Sequence, residues 1–219
     1  EQRTVGVRVD HLRRGLDAGW RGVEHGHQAV AQCLDDTPAA LAVETALKHF
    51  GRLDAVVNVA GGLTTYGPVA KTGVEGFDRE IAINLKTAYL MSRAAVGPLG
   101  ESRGAVVNFA SVAYFRPQAQ MAVYSAAKAG VAALTQSLAA ELWPAGVRVN
   151  AIAPGMVRTP ENVASAGPGA HYVEMEQIIA AVLFSGISGT AVADIAALGQ
   201  IFINGMHKEG YSKAFAAAL

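Results

Sequence analysis

Tyr124 and Lys128 lie four residues apart in the run Tyr-Ser-Ala-Ala-Lys, and Ser111 lies thirteen residues upstream at the end of the apolar run 104–111. Four residues is about one helical turn, so the phenol and the ammonium project from one helix face, where the cation favours the phenolate. A tyrosine with an ordinary pKa of ~10 needs such a neighbour to act as an acid or base near neutral pH. Ser111, at the end of a strand-like run, offers a hydroxyl donor there. Asn84 stands in Ile-Ala-Ile-Asn-Leu, a polar side chain in apolar surroundings. Gly61 and Gly62 follow another strand-like run, where a missing side chain lets backbone approach a ligand.

The elements that must hold these residues are legible as an alternation. Short apolar runs at 4–9, 28–34, 53–58, 105–110, 147–152 and 200–203 have strand length, and the best are apolar on both faces, as buried parallel strands are. Segments with helical spacing separate them at 11–24, 38–50, 77–97, 121–143 and 173–184. Strand and helix alternating in this way imply an α/β, doubly wound parallel sheet with helices on both faces. Asp36-Thr37-Pro38 supplies a cap and a first-turn proline, Gly51 follows the last turn of that helix, and Pro144 ends the helix that carries Tyr124. The stretch 154–170, with three prolines and three glycines, reads as a loop beside the carboxyl edge of the sheet, a place for a substrate lid.

Composition sets the outer limits. The 219 residues, 51% of them hydrophobic, suffice for one domain, 1–219, with a sizeable core. Eighteen basic residues balance eighteen acidic ones without a block of either sign, which removes the electrostatic basis for nucleic acid or anionic membrane as a partner. One cysteine, Cys33, excludes an internal disulfide framework and makes a reducing cytoplasm the expected location. No apolar run reaches the ~18 residues of a membrane span. Six scattered histidines show no ligand spacing, so no metal is expected.

Taken together and in this order, the motifs resemble those of the short-chain dehydrogenase/reductase family, whose fold is Rossmann-like. Asn58-Val-Ala60-Gly61 is similar to the family's Asn-Asn-Ala-Gly turn, Asn84 to its structural and proton-relay asparagine, and Ser111, Tyr124 and Lys128 to its catalytic triad. Pro154-Gly155-Met-Val157-Arg-Thr159 resembles the turn that faces the nicotinamide carboxamide, and 199–205 the closing strand and turn. The resemblance implies catalytic roles for Asn84, Ser111, Tyr124 and Lys128. It implies cofactor contacts from Asp10, Asp35, Asn58, Ala60, Gly61, Tyr124, Lys128, Pro154, Gly155, Val157 and Thr159. Asp35 and Asp36 are both candidates for the adenine contact, with Asp35 preferred.

The family's Thr-Gly-x-x-x-Gly-x-Gly phosphate turn does not occur in the sequence. An acidic ribose ligand follows that turn by ~20 residues, so with Asp10 in that role the glycines fall before residue 1, and the sequence reads as lacking the first strand and helix. The expected activity is NAD(P)-dependent interconversion of a ketone and a secondary alcohol with an apolar body. Asp10 favours NAD, whereas Arg8, Arg13 and Arg14 argue for NADP. The alternative is a non-catalytic scaffold or partner subunit of the same fold with impaired dinucleotide binding. The resemblance further implies a homodimer or homotetramer through the helices at 77–97 and 121–143, with Leu90, Leu134 or Leu138 exposed there.

Overall fold

The computed structural model describes residues 36–166 and 170–187. The expected strands 4–9, 28–34 and 200–203, the helix 11–24, and Asp10 and Asp35 lie outside the described residues.

The chain enters helix α1 (Asp36–Phe50), whose Ala39, Val43 and Ala46 are buried at helical spacing, and leaves it at Gly51. Gly51 has φ +74° and returns its N–H to Leu47 O at 2.8 Å, the left-handed C-terminal turn that glycine adopts without penalty. Strand β1 (Ala55–Asn58) follows, then α2 (Val74–Ile81), a π-helical turn (Ala82–Lys86) and α3 (Thr87–Ser102). Next come β2 (Ala105–Phe109), α4 (Ala122–Leu142), β3 (Arg148–Ile152), α5 (Pro160–Ala166) and α6 (Met175–Ile187). Among the described residues the strands form one parallel sheet in the order β1-β2-β3, with Asn58 opposite Asn108 and Phe109 opposite Ile152. This is a Rossmann-like parallel sheet with flanking helices.

One core cluster joins Val43 and Ala46 of α1, Ala95 and Leu99 of α3 and Leu142 of α4 to Val56, Val106 and Val149 of the three strands. Burying a side chain of this size contributes roughly 1.5–3 kcal/mol, so this layer fixes the helices that carry the candidate residues. A polar chain runs through the same interior. Asn58 Nδ2 donates to Ser92 Oγ at 3.1 Å and to Asn108 Oδ1 at 2.7 Å, and Asn108 Nδ2 donates to Thr135 Oγ1 at 2.9 Å.

Several expectations are corrected. The helix expected at 77–97 spans Val74–Ser102 with a π turn inside it. It passes through Pro98, whose missing N–H removes one helical bond, and ends with Arg103 in the left-handed region at φ 52°, where Gly104 N–H reaches Leu99 O at 2.9 Å. Pro144 follows the end of α4 at Leu142, as expected, within a 3-10 turn (Trp143–Ala145). The loop 154–170 contains α5, because Thr159 caps its first turn, accepting from Asn162 N–H at 3.2 Å, and Pro160 suits a first helical position. Leu90 is buried, and Leu138 packs against the core, so neither is the exposed interface residue anticipated; the large exposed side chain on that part of α3 is Tyr89.

Candidate functional site

The residues singled out in the sequence converge at the carboxyl end of the parallel sheet, where open α/β sheets bind ligands. Ser111 follows β2 in extended backbone and caps the 3-10 turn Val112–Tyr114, its Oγ accepting from Ala113 N–H at 3.2 Å. Val112 N–H in turn reaches Pro154 O at 3.1 Å, and Ala110 N–H reaches Ile152 O at 2.9 Å, so the Ser111 turn and the Pro154-Gly155 turn lie side by side.

Tyr124 and Lys128 share the buried side of α4 near its start, with Val123, Ala127 and Val131 packed around them. Tyr124 is half-buried, with Ser111 near enough to act on its phenol. Burial pushes the phenol above the ordinary value; the Ser111 side chain pulls it down, and the charge of Glu80 pushes it up again. The expected acidification by Lys128 is therefore corrected. The ammonium donates to Phe109 O at 2.8 Å and stands 5.8 Å from the Tyr124 ring centroid, and burial of the phenol sets the direction of its shift. Lys128 itself is buried, which lowers it to about 8 against an opposing pull from Glu80.

Asn84 sits in the π turn and is almost wholly buried. Its Nδ2 bonds the Glu80 carbonyl at 3.0 Å, a side chain inserted into the helical ladder, and this accounts for the local widening. The same amide pairs with both backbone groups of Gly62, accepting from its N–H at 3.0 Å and donating to its O at 2.9 Å. Gly61, at φ +146°, closes the arrangement: a β-carbon there would come within 2.6 Å of Asn84 Oδ1 and 3.3 Å of Lys128 Nζ. The loop after β1, the π turn and the head of α4 thus touch at one point, and only glycine fits it.

The remaining predicted contacts divide. Ala60 and Gly61 are exposed along the strand end. The Asn58 side chain, in contrast, is turned into the core polar chain and is engaged by Ser92 and Asn108. Val157 pairs with Val173 in a short bridge, its O accepting from Asn162 Nδ2 at 2.7 Å, and the Thr159 hydroxyl serves as the helix cap. Beside Ser111 and Pro154, Tyr114 and Met156 are exposed and Ala113 is buried. His171 is exposed, while Tyr172 is buried beneath Arg158, whose guanidinium lies 4.6 Å from its ring centroid.

Glu80 was not anticipated. It is completely buried at the end of α2, one helical turn before Asn84, a spacing that by itself does not mark a buried carboxylate. Its carboxylate accepts from Thr64 Oγ1 at 2.6 Å, Thr65 N–H at 2.8 Å, Thr64 N–H at 3.1 Å and Asn84 Nδ2 at 3.1 Å. Among the described residues no cluster of three His, Cys, Asp or Glu could hold a metal, and no helix is long and apolar enough to cross a membrane.

Comparison with known proteins agrees with this fold. A family model described as short chain dehydrogenase matches residues 23–167, and one described as tripartite ATP-independent periplasmic transporter, DctM component, matches 167–219. The chain is 40% identical over 132 residues to the inactive 2-(S)-hydroxypropyl-CoM dehydrogenase 2 of Xanthobacter autotrophicus, covering 60% of this chain and 57% of that protein. It is 36% identical over 152 residues to cyclopentanol dehydrogenase of Comamonas testosteroni, covering 63% and 60%. The chain thus spans less than two thirds of these relatives. Among solved structures, the 3-ketoacyl-(acyl-carrier-protein) reductase from Brucella melitensis, complexed with NADH, superposes with a TM-score of 0.65 at 28% identity over 74% of this chain and 70% of that one. On the family match, which takes in well over half of its length, the chain belongs to the short-chain dehydrogenase family.

Proposed function

We propose that the chain interconverts a ketone and a secondary alcohol by hydride exchange with a nicotinamide dinucleotide, with Tyr124 as the acid or base. The observation that carries this reading is the convergence of Ser111, Tyr124, Lys128 and Asn84 on one sheet edge, with Ser111 near enough to act on the Tyr124 phenol. The described residues fit the nicotinamide-ribose end of the cofactor. Val59, Ala60 and Gly61 leave backbone open along the strand end, Gly61 admits no side chain, and the Lys128 ammonium has one of its three N–H groups on Phe109 O, so two can reach ribose hydroxyls.

When bound, the nicotinamide supplies the hydride acceptor or donor. In reduction Tyr124 gives its proton to the ketone oxygen, and in oxidation it takes the hydroxyl proton. Its phenol, held above the ordinary value, is protonated at neutral pH and thus suited to donate. To act as a base it needs an added positive charge, which oxidised nicotinamide carries. Ser111 steadies the substrate oxygen as charge develops, and Asn84, fastened to Gly62, fixes the loop beside Lys128. Exposed Tyr114, Phe115 and Met156 near Ser111 suit a substrate with an apolar body. NAD is preferred to NADP on the strength of Asp10, which lies outside the described residues.

Tyr124→Phe is the direct test. Turnover of a secondary-alcohol panel with NAD should fall by about 10²–10⁴-fold, while NADH binding, read by fluorescence, persists. Full activity in that variant would discard the mechanism, and no NADH binding by the unmodified chain would support the non-catalytic scaffold instead. A homodimer or homotetramer built on α3 and α4 belongs to the same reading, and sedimentation showing monomer alone would remove it.

A further inference from the structure

The geometry points to Glu80 as a positioning residue of this site: its buried carboxylate clamps the Gly61–Thr65 loop to the helix that carries Asn84, and so sets the surface on which a nicotinamide would rest beside Lys128. This rests on the proposed nicotinamide reading, and it adds a residue that the motif resemblance did not supply.

A carboxylate with no solvent exposure is costly to bury unless donors surround it. Glu80 has four: the Thr64 hydroxyl, the Thr64 and Thr65 amides, and the Asn84 side chain. Three of them belong to the loop and the fourth to the residue that itself holds Gly62. Thr65 Oγ1 adds a bond to Gly76 O at 3.2 Å, so the loop is fastened to α2 at two points. Because the clamped loop begins at Gly61, a carboxylate that lets go frees a segment whose backbone approaches both Asn84 and Lys128.

Glu80 also acts through space, raising both Tyr124 and Lys128. The other groups that bear on Tyr124 are Ser111 after β2 and Lys128 on α4 itself. Of the remaining titratable groups on elements packed against α4, Tyr114 is exposed in the 3-10 turn, Lys86 in the π turn is exposed, Glu75, Asp78 and Arg79 share α2 with Glu80, Tyr89, Arg93 and Glu101 on α3 are exposed, and Arg148 starts β3 at the opposite end of the sheet.

Glu80→Gln tests the inference, because the neutral amide presents hydrogens where Thr64 and Thr65 already donate. Nicotinamide affinity should fall about tenfold in this variant, as expected when a binding surface is displaced. The phenolate transition of Tyr124, followed by ultraviolet difference titration with Tyr124→Phe as blank, should move to lower pH once the negative charge is gone. Thr64→Val, which removes one loop donor at an exposed position, gives a milder loss of nicotinamide affinity and keeps the test open if Glu80→Gln folds poorly. An unchanged Tyr124 titration together with unchanged nicotinamide affinity would overturn the role of Glu80. If the unmodified chain binds no nicotinamide, the functional reading fails by itself, and the Tyr124 titration still decides whether Glu80 governs the site.

Discussion

Lys128 has three donors, a buried position and a value pulled down to about 8, and these together predict how cofactor binding depends on pH. The ammonium is the form that can hold ribose hydroxyls, and it is lost as pH rises through about 8. NADH affinity should therefore weaken above that point. Lys128→Met should bind weakly at every pH and lose this dependence, which fluorescence titration at a series of pH values would read. In the unliganded chain the sign is reversed for stability: burial opposes the charged lysine, so its contribution rises as pH climbs from about 8 toward the ordinary 10.5. The Tyr124–Lys128 spacing and the upstream Ser111 were legible because the helix turn dictates them. The direction of the Tyr124 shift was not, since it depends on how deeply the ring is buried and on the charge of Glu80 nearby, and neither is written in a spacing. Glu80 was missed for a related reason, as a carboxylate in a helix reads as solvated until the loop that surrounds it is known.

At the scale of elements, the π turn is the feature that brings Asn84 to Gly62. It depends on Gly61 lacking a side chain. Gly61→Ala would force a left-handed residue and a 2.6 Å contact with Asn84 Oδ1, so the loop and the π turn must separate. We expect a loss of about 1–3 kcal/mol in urea unfolding, with activity falling more steeply than stability. Helix α5 shows where sequence reading stopped short. Thr159-Pro160 offers the same cap-and-proline start as Thr37-Pro38, yet the neighbouring prolines and glycines outweighed it. The strands β2 and β3 and the helices α1 and α4 were placed within a few residues, because their apolar periodicity follows directly from the face they bury.

For the molecule as a whole, the family match at 23–167 and the second match at 167–219 divide the chain near α5, and the polar chain Ser92–Asn58–Asn108–Thr135 lies wholly within the first part. Asn108→Val would leave the Asn58 amide and the Thr135 hydroxyl each short of a partner, at roughly 2 kcal/mol, seen as a lower urea midpoint. The double change Asn58→Val with Asn108→Val should recover part of that loss, because removing both polar partners costs less than stranding one. The sequence showed both asparagines inside apolar strands, but their pairing emerges only when β1 and β2 lie side by side. The two amides also act as an alignment key between neighbouring strands. Sliding β1 by a single residue would carry Asn58 past Asn108 and turn Val56 away from the helices, stranding two amides in a dry interior and baring a hydrocarbon face at once. A misaligned chain is thus penalised twice, so the assembly that places Gly61 beside Lys128 is selected while the strands are still finding one another.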